Sequence, residues 1–150
     1  MSPAHLEFVV LGGGVTGLTT ALELKQRFPE SSITVVAKHF PGSFSATEYA
    51  SSWAGANWIS FENSFNRFAE YDRVAFNKFT EIAARSPECG IKPFDLRLCY
   101  DDPKAGLEDR WYQDLVGGIK EVPKHELPAG AAMGLDLKTF MINIAIYLPW

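Results

Sequence analysis

The tightest constraint on this chain is a glycine spacing that follows a short apolar run. Phe8-Val9-Val10-Leu11 leads directly into Gly12-Gly13-Gly14-Val15-Thr16-Gly17. A continuous apolar, β-branched run is what a strand buried on both faces of a parallel sheet requires. From Val15 the period changes. Leu18, Ala21, Leu22 and Leu24 recur at helical spacing, Arg27 stands where a cation complements the helix dipole, and Pro29 follows the last turn. Ile33-Thr34-Val35-Val36-Ala37 is a second β-branched run. Strand, glycine turn, helix and strand within about 30 residues make a βαβ unit, with the right-handed crossover that such units take. The expected fold class is α/β.

In this setting Gly12-x-Gly14-x-x-Gly17 reads as a dinucleotide fingerprint. Gly12 permits the tight turn, Gly14 lets a pyrophosphate approach the backbone, and Gly17 lets helix and strand come close. Val15 and Thr16 open the helix, whose first N–H groups and positive dipole end face the anion. The fingerprint expects an acid about 20 residues on, for a ribose hydroxyl. The matching stretch here is Val36-Ala37-Lys38-His39, without an acid. A basic residue such as Lys38 suits a 2′-phosphate instead. On these residues alone, FAD and NADP both stay open.

The remainder supplies context. Residues 38–63 hold Pro41, Gly42, Ser43, Ser45, Ser51, Ser52, Gly55 and Asn57, a long loop of the kind that often carries function. A helix is expected next, with Ser64 as its N-cap and Phe61, Phe65, Phe68, Ala75, Phe76, Phe79 and Ile82 as its core stripe. Ser86 to Pro93 reads as turn, and Asp95–Tyr100 as a half-buried antiparallel strand. Residues 101–110 read as a surface loop whose Asp101, Asp102, Glu108 and Asp109 are solvated. Trp111–Val116 reads as a short helix, Leu137–Ile146 as a last strand, and Tyr147-Leu148-Pro149-Trp150 as the first turn of a further helix. A helix starting at the last residues implies the front part of a larger fold.

Composition excludes several classes. With 14 Lys plus Arg against 18 Asp plus Glu, the net charge of −4 does not suit a nucleic-acid binder. No apolar run approaches the ~20 residues of a membrane span. The three histidines (His5, His39, His125) are scattered, and the two cysteines, Cys89 and Cys99, form no CxxC pair. The expectation is therefore two free thiols and no metal site.

One further string is more specific. Ala50-Ser51-Ser52-Trp53-Ala54-Gly55-Ala56-Asn57-Trp58 resembles the flavin-cradling loop of the FAD-dependent D-amino-acid oxidases of fungal type. The opening Val9 to Ala21 looks like that family's start, and Ile142 to Trp150 is similar to a segment near the middle of its chains. The resemblance covers nearly the whole sequence in order. It implies FAD as cofactor, with a D-amino acid and oxygen as partners. A hydride passes from Cα to the flavin, an imino acid forms, and oxygen returns as hydrogen peroxide. It further implies that Ser51, Ser52, Gly55 and Asn57 contact FAD alongside Gly12, Gly14, Val15, Thr16, Gly17 and Lys38. His39 replaces the family's usual acid at the adenosine end. Small residues at 54–56 suit a flat ring. Trp53 and Trp58 could wall the site, although interior packing is the preferred reading of both.

The resemblance sets the expected organisation. Residues 1–94 form mainly the FAD-binding domain, a Rossmann-like βαβ unit of glutathione-reductase type that is incomplete here. Residues 95–136 begin a mixed-sheet substrate domain, and 137–150 are a return segment. Catalytic groups fall beyond Trp150, so this piece supplies the cofactor end and is inactive alone. The intact protein would lie in the peroxisome or cytoplasm, with a homodimer as one option. Rival readings are a related D-aspartate or amine oxidase and a non-catalytic nucleotide-binding fragment.

Overall fold

A computed structural model describes residues 6–43, 47–104 and 110–150. His5, Ser45, Gly106, Glu108 and Asp109 lie outside the described residues. The chain forms two compact units: Met1–Gly55 with Asn143–Trp150, and Ala56–Ile142. These bounds differ from the cuts at 94/95 and 136/137 expected from the sequence.

In the first unit β1 (Glu7–Leu11) pairs in parallel with β2 (Ser32–Val36), with Phe8 opposite Ile33 and Val10 opposite Val35. Helix α1 (Val15–Arg27) crosses between them and touches both strands. Lys25 and Arg27 stand in its last turn, and Phe28 beyond its end meets Phe8 with ring centroids 5.3 Å apart. The βαβ unit is thus as expected, but its burial is not. Phe8, Val10, Ile33 and Val35 are the more covered set, while Val9, Leu11 and Val36 on the alternate positions are exposed, Leu11 at 85%. The cause is that this sheet has two strands and one crossover helix, which shields one face only. Helix α3 (Ile144–Tyr147) belongs to the same unit and contacts a 3₁₀ turn at Ala50–Trp53.

The second unit is built on the sheet β3 (Ile91–Tyr100), β5 (Met133–Ile142) and β4 (Ile119–Glu121), antiparallel throughout with β5 central. Helix α2 (Arg67–Arg85) lies in the same unit, and its Ala75, Phe76 and Phe79 pack around Trp58, Tyr112, Val116 and Leu137. Trp58 meets Phe76 and Tyr112 edge-on at 4.7 and 5.7 Å and donates from Nε1 to the Asp72 carbonyl at 3.0 Å. Residues 57 and 141 form an antiparallel bridge, flanked by Trp58 N–H to Phe140 O (3.1 Å) and Ile142 N–H to Ala56 O (2.9 Å).

Several expectations need correction. Ser64 is not the cap of α2. Asn66 is, its Oδ1 accepting from the Phe68 and Ala69 amides at 2.8 and 3.0 Å. Asn66 holds the extended backbone a cap needs, and its side-chain carbonyl satisfies two orphan donors at once. Phe61 and Phe65 therefore precede the helix, and Phe61, Phe65 and Phe68 are exposed rather than core. Strand β3 starts at Ile91, earlier than Asp95, and includes Pro93. It can do so because β3 is an edge strand, where a missing N–H is tolerated. Trp111–Val116 is a run of turns, not a helix. Its hydrogen bonds span mixed separations (Gln113 to Arg110, Val116 to Tyr112), and Gly117 and Gly118 follow at positive φ. The last strand covers Met133–Ile142, because Asn143 ends it by capping α3 through Ala145 N–H at 3.1 Å. The final helix thus begins at Ile144 and does not start at the last residues. Trp58 is core, as expected. Trp53 is 63% exposed and is not.

Both cysteines are free, Cys89 buried and Cys99 exposed. Among the described residues no group of ligands could hold a metal ion, and no helix is long and apolar enough to cross a membrane.

The cap assignment has a direct test. Asn66→Ala should lower the unfolding free energy by about 1 kcal/mol, while Ser64→Ala should change it by less than about 0.5 kcal/mol. Urea denaturation of both variants reads the difference, and equal losses would return the cap to Ser64.

Candidate functional site

The site is built at the head of the βαβ unit. β1 continues its pairing one residue past its end, as Gly12 N–H donates to Val36 O at 2.8 Å. Gly12 then takes φ +118°, a conformation that L side chains rarely adopt. The chain folds back so tightly that a Cβ on Gly17 would stand 2.0 Å from the Gly12 carbonyl oxygen. No side chain could enter that space, because the obstacle is backbone. Gly14 is the N-cap of α1, and a Cβ there would meet Ser51 Oγ at 2.8 Å. Gly13 is equally hemmed in: its Cβ would meet the His39 carbonyl at 2.6 Å. The fingerprint spacing gives Gly13 no role, and the triple-glycine run is the only sequence signal of its confinement.

Helix α1 carries no acid in its first turn and no capping bond from Gly14. The Val15 amide donates instead to Ser51 Oγ at 3.1 Å, and Thr16 and Gly17 keep N–H groups without an intrahelical acceptor. Tyr49, which no sequence motif singles out, is 6% exposed and donates from its hydroxyl to Gly13 O at 2.7 Å. It ties the loop to the glycine turn. Burial pushes the Tyr49 phenol above its ordinary value, so the hydroxyl stays a donor.

These elements enclose a groove of about 350 Å³ lined by residues 11–14, 36–39 and 49–51. Gly12, Gly14, Lys38 and Ser51 line it directly, while Val15, Thr16 and Gly17 form the start of the helix behind it. Ser52 follows in the 3₁₀ turn, and its Oγ is buried without a hydrogen-bond partner among the described residues. Gly55 closes the first unit and is exposed. A Cβ added there would have nothing within 4 Å, so packing does not explain its being glycine. Asn57 falls in the second unit. Its neighbour Trp58 turns into the core, and the alternation of extended chain leaves Asn57 exposed.

The far end of the groove carries charge. Lys38 Nζ donates to Glu48 Oε2, and His39 Nε2 lies 3.6 Å from the same oxygen. His39 is largely buried, and its Nε2 has no hydrogen-bond partner among the described residues. The Lys38 ammonium first, and the His39 ring second, hold the Glu48 carboxyl below its ordinary value. Asp101 and Asp102 lie exposed on a loop, as expected, with Asp102 accepting from the Lys104 amide at 2.9 Å.

A turn that admits only glycine, beside helix amides without an intrahelical acceptor, fits a ligand with a pyrophosphate group. Comparison with known proteins agrees. Residues 7–138 match the family described as FAD dependent oxidoreductase. The chain is 35% identical over 145 residues to a D-amino-acid oxidase of Schizosaccharomyces pombe, covering 96% of this chain and 41% of that protein. A D-amino-acid oxidase of Fusarium vanettenii is 35% identical, with 95% and 42% covered. A D-aspartate oxidase of Talaromyces thermophilus is 30% identical, with 95% and 45% covered. The chain thus spans about two-fifths of the length of these curated relatives. It belongs to the family of FAD dependent oxidoreductases.

The glycines make a paired prediction. Gly17→Ala should destabilise the protein by about 3 kcal/mol or more, since backbone must move to admit the methyl. Gly55→Ala should leave the melting temperature unchanged within about a degree, because it costs no packing. Thermal unfolding of the two variants checks this, and a tolerated Gly17→Ala would contradict the turn geometry.

Proposed function

We propose that the full-length protein is an FAD-dependent oxidase that converts D-amino acids to imino acids, with oxygen as the final acceptor and hydrogen peroxide as product. The observation that supports this best is the groove at the head of the βαβ unit, lined by Gly12 and Gly14, where the close approach of Gly17 to the Gly12 carbonyl sets the start of α1 directly after the turn. Family membership supports FAD as the dinucleotide, and the names of the relatives support D-amino acids as substrate. Hydride acceptance from the substrate Cα is the chemistry that a flavin supplies. This chain's residues do the holding. The first amides of α1 bind the pyrophosphate, and the end of β2 meets the adenosine. On the family resemblance, Ser51, Ser52, Gly55 and Asn57 contact the cofactor further along.

The same reading extends to architecture. The βαβ unit is the beginning of a Rossmann-like FAD-binding domain of glutathione-reductase type, and the antiparallel sheet is the beginning of the substrate domain. The parallel pairing of β1 with β2, and the antiparallel order β3-β5-β4, support that division. The chain spans about two-fifths of its curated relatives, and on the family resemblance the substrate clamp lies in the part of them that it does not match. A D-aspartate oxidase is the second reading, favoured by the Talaromyces thermophilus relative.

Purified full-length protein should be yellow and should release peroxide with D-alanine but not L-alanine. D-aspartate as the much better substrate would favour the second reading. Gly14→Val should abolish flavin content in a folded protein, since the side chain would fill the cradle from within. A colourless full-length protein that binds NADPH would contradict the FAD assignment.

A further inference from the structure

We infer that Glu48 binds the ribose of the adenosine moiety, replacing from the loop the acid that is absent at the end of β2. The inference rests on the reading that the protein binds FAD. The dinucleotide fold needs an acceptor where the second strand ends, to take the ribose hydroxyls. Lys38 and His39 occupy that stretch and line the groove, and neither is a carboxylate. A carboxylate ten residues further on stands at the same place, where Glu48 Oε2 accepts from Lys38 Nζ.

Three features make this more than a surface ion pair. Lys38 and Glu48 are both well exposed, and exposed pairs contribute little to stability, so the fold itself does not require the contact. His39 stands on the other side, its Nε2 3.6 Å from Glu48 Oε2, so the carboxylate is gathered against both residues of the strand end. Both contacts use Oε2, which leaves Oε1 as an acceptor. The Lys38 ammonium first, and the His39 ring second, hold the carboxyl below its ordinary value, which favours the ionised form that only accepts.

The pairing also decides between the two dinucleotide types that Lys38 alone leaves open. An unpaired lysine at this point would attract a 2′-phosphate. A lysine neutralised by Glu48 does not, and the carboxylate repels a phosphate while accepting from a 2′-hydroxyl. Glu48 is then a specificity residue for a free ribose, and Lys38 is a positioning residue that holds it.

The test uses full-length apoprotein and titrates FAD, and FAD lacking the adenosine 2′-hydroxyl, by flavin fluorescence. Wild type should bind FAD more tightly than the deoxy analogue. Glu48→Gln should weaken FAD by about ten- to hundredfold and remove most of that preference. Glu48→Asp, which keeps the charge on a shorter arm, should fall between. Adenosine 2′,5′-bisphosphate should compete better against Glu48→Gln than against wild type. Unchanged FAD affinity in Glu48→Gln, or an equal loss for FAD and its deoxy analogue, would overturn the inference and leave FAD binding intact. Wild-type apoprotein that binds neither flavin would overturn the FAD reading and this inference together.

Discussion

The approach of Gly17 to the Gly12 carbonyl is the contact on which the first unit depends. At that distance a helix can leave a strand almost without a connecting loop, so the amide end of α1 stands at the strand tip. The order of events is physical: absence of two Cβ atoms permits the turn, the turn places the helix, and the helix end creates a positive, donor-rich pole. Ser51 and Tyr49 then attach the following loop to this pole, one through the Val15 amide and one through the Gly13 carbonyl. The groove is a consequence of these bonds and needs no charged side chain at its centre.

The second unit solves a different problem. Its core is assembled from aromatic residues of separate segments, with Trp58 and Tyr112 crossing edge-to-face and Phe76 and Phe79 supplied by α2. Trp58 also hydrogen-bonds through its indole to the helix backbone, which satisfies its polar end without exposing it. Across the sheet, Arg97 bonds to Asp136 through Nε at 2.8 Å and reaches Glu126 at 3.1 Å, matching the β3–β5 register. The tryptophans of the Trp53–Trp58 string therefore have unlike environments, one exposed in the first unit and one central to the second.

Local signals were legible in the sequence wherever backbone chemistry dictated the outcome. The two strands and α1 follow from β-branched runs, the glycine spacing and the cations of the last turn. The edge of α2 was not legible, since Ser64 and Asn66 are both good caps and only the geometry shows which side chain meets two amides. Exposure of Leu11 and Val9 was hidden as well, because an apolar run states what a strand can bury and not which neighbours this stretch of chain provides. At the site, the glycines could be read from their spacing, and Ser51 was suggested by the family resemblance of its string. Glu48 could not: its contact with Lys38 joins residues ten apart, and no periodicity records that. Tyr49 carried no signal beyond its place beside the Ala50-Ser51-Ser52 string.

The functional reading stands or falls with the glycine turn holding the pyrophosphate of FAD against the start of α1. A crystal structure of the full-length protein loaded with FAD measures this directly, through the distances from the pyrophosphate oxygens to the amide nitrogens of Val15 and Thr16. At least one of these should be about 2.7–3.2 Å, with Ser51 Oγ turned from the Val15 amide or sharing it. A pyrophosphate seated elsewhere, with Ser51 still accepting from Val15 and the groove beside Gly14 empty, would contradict it.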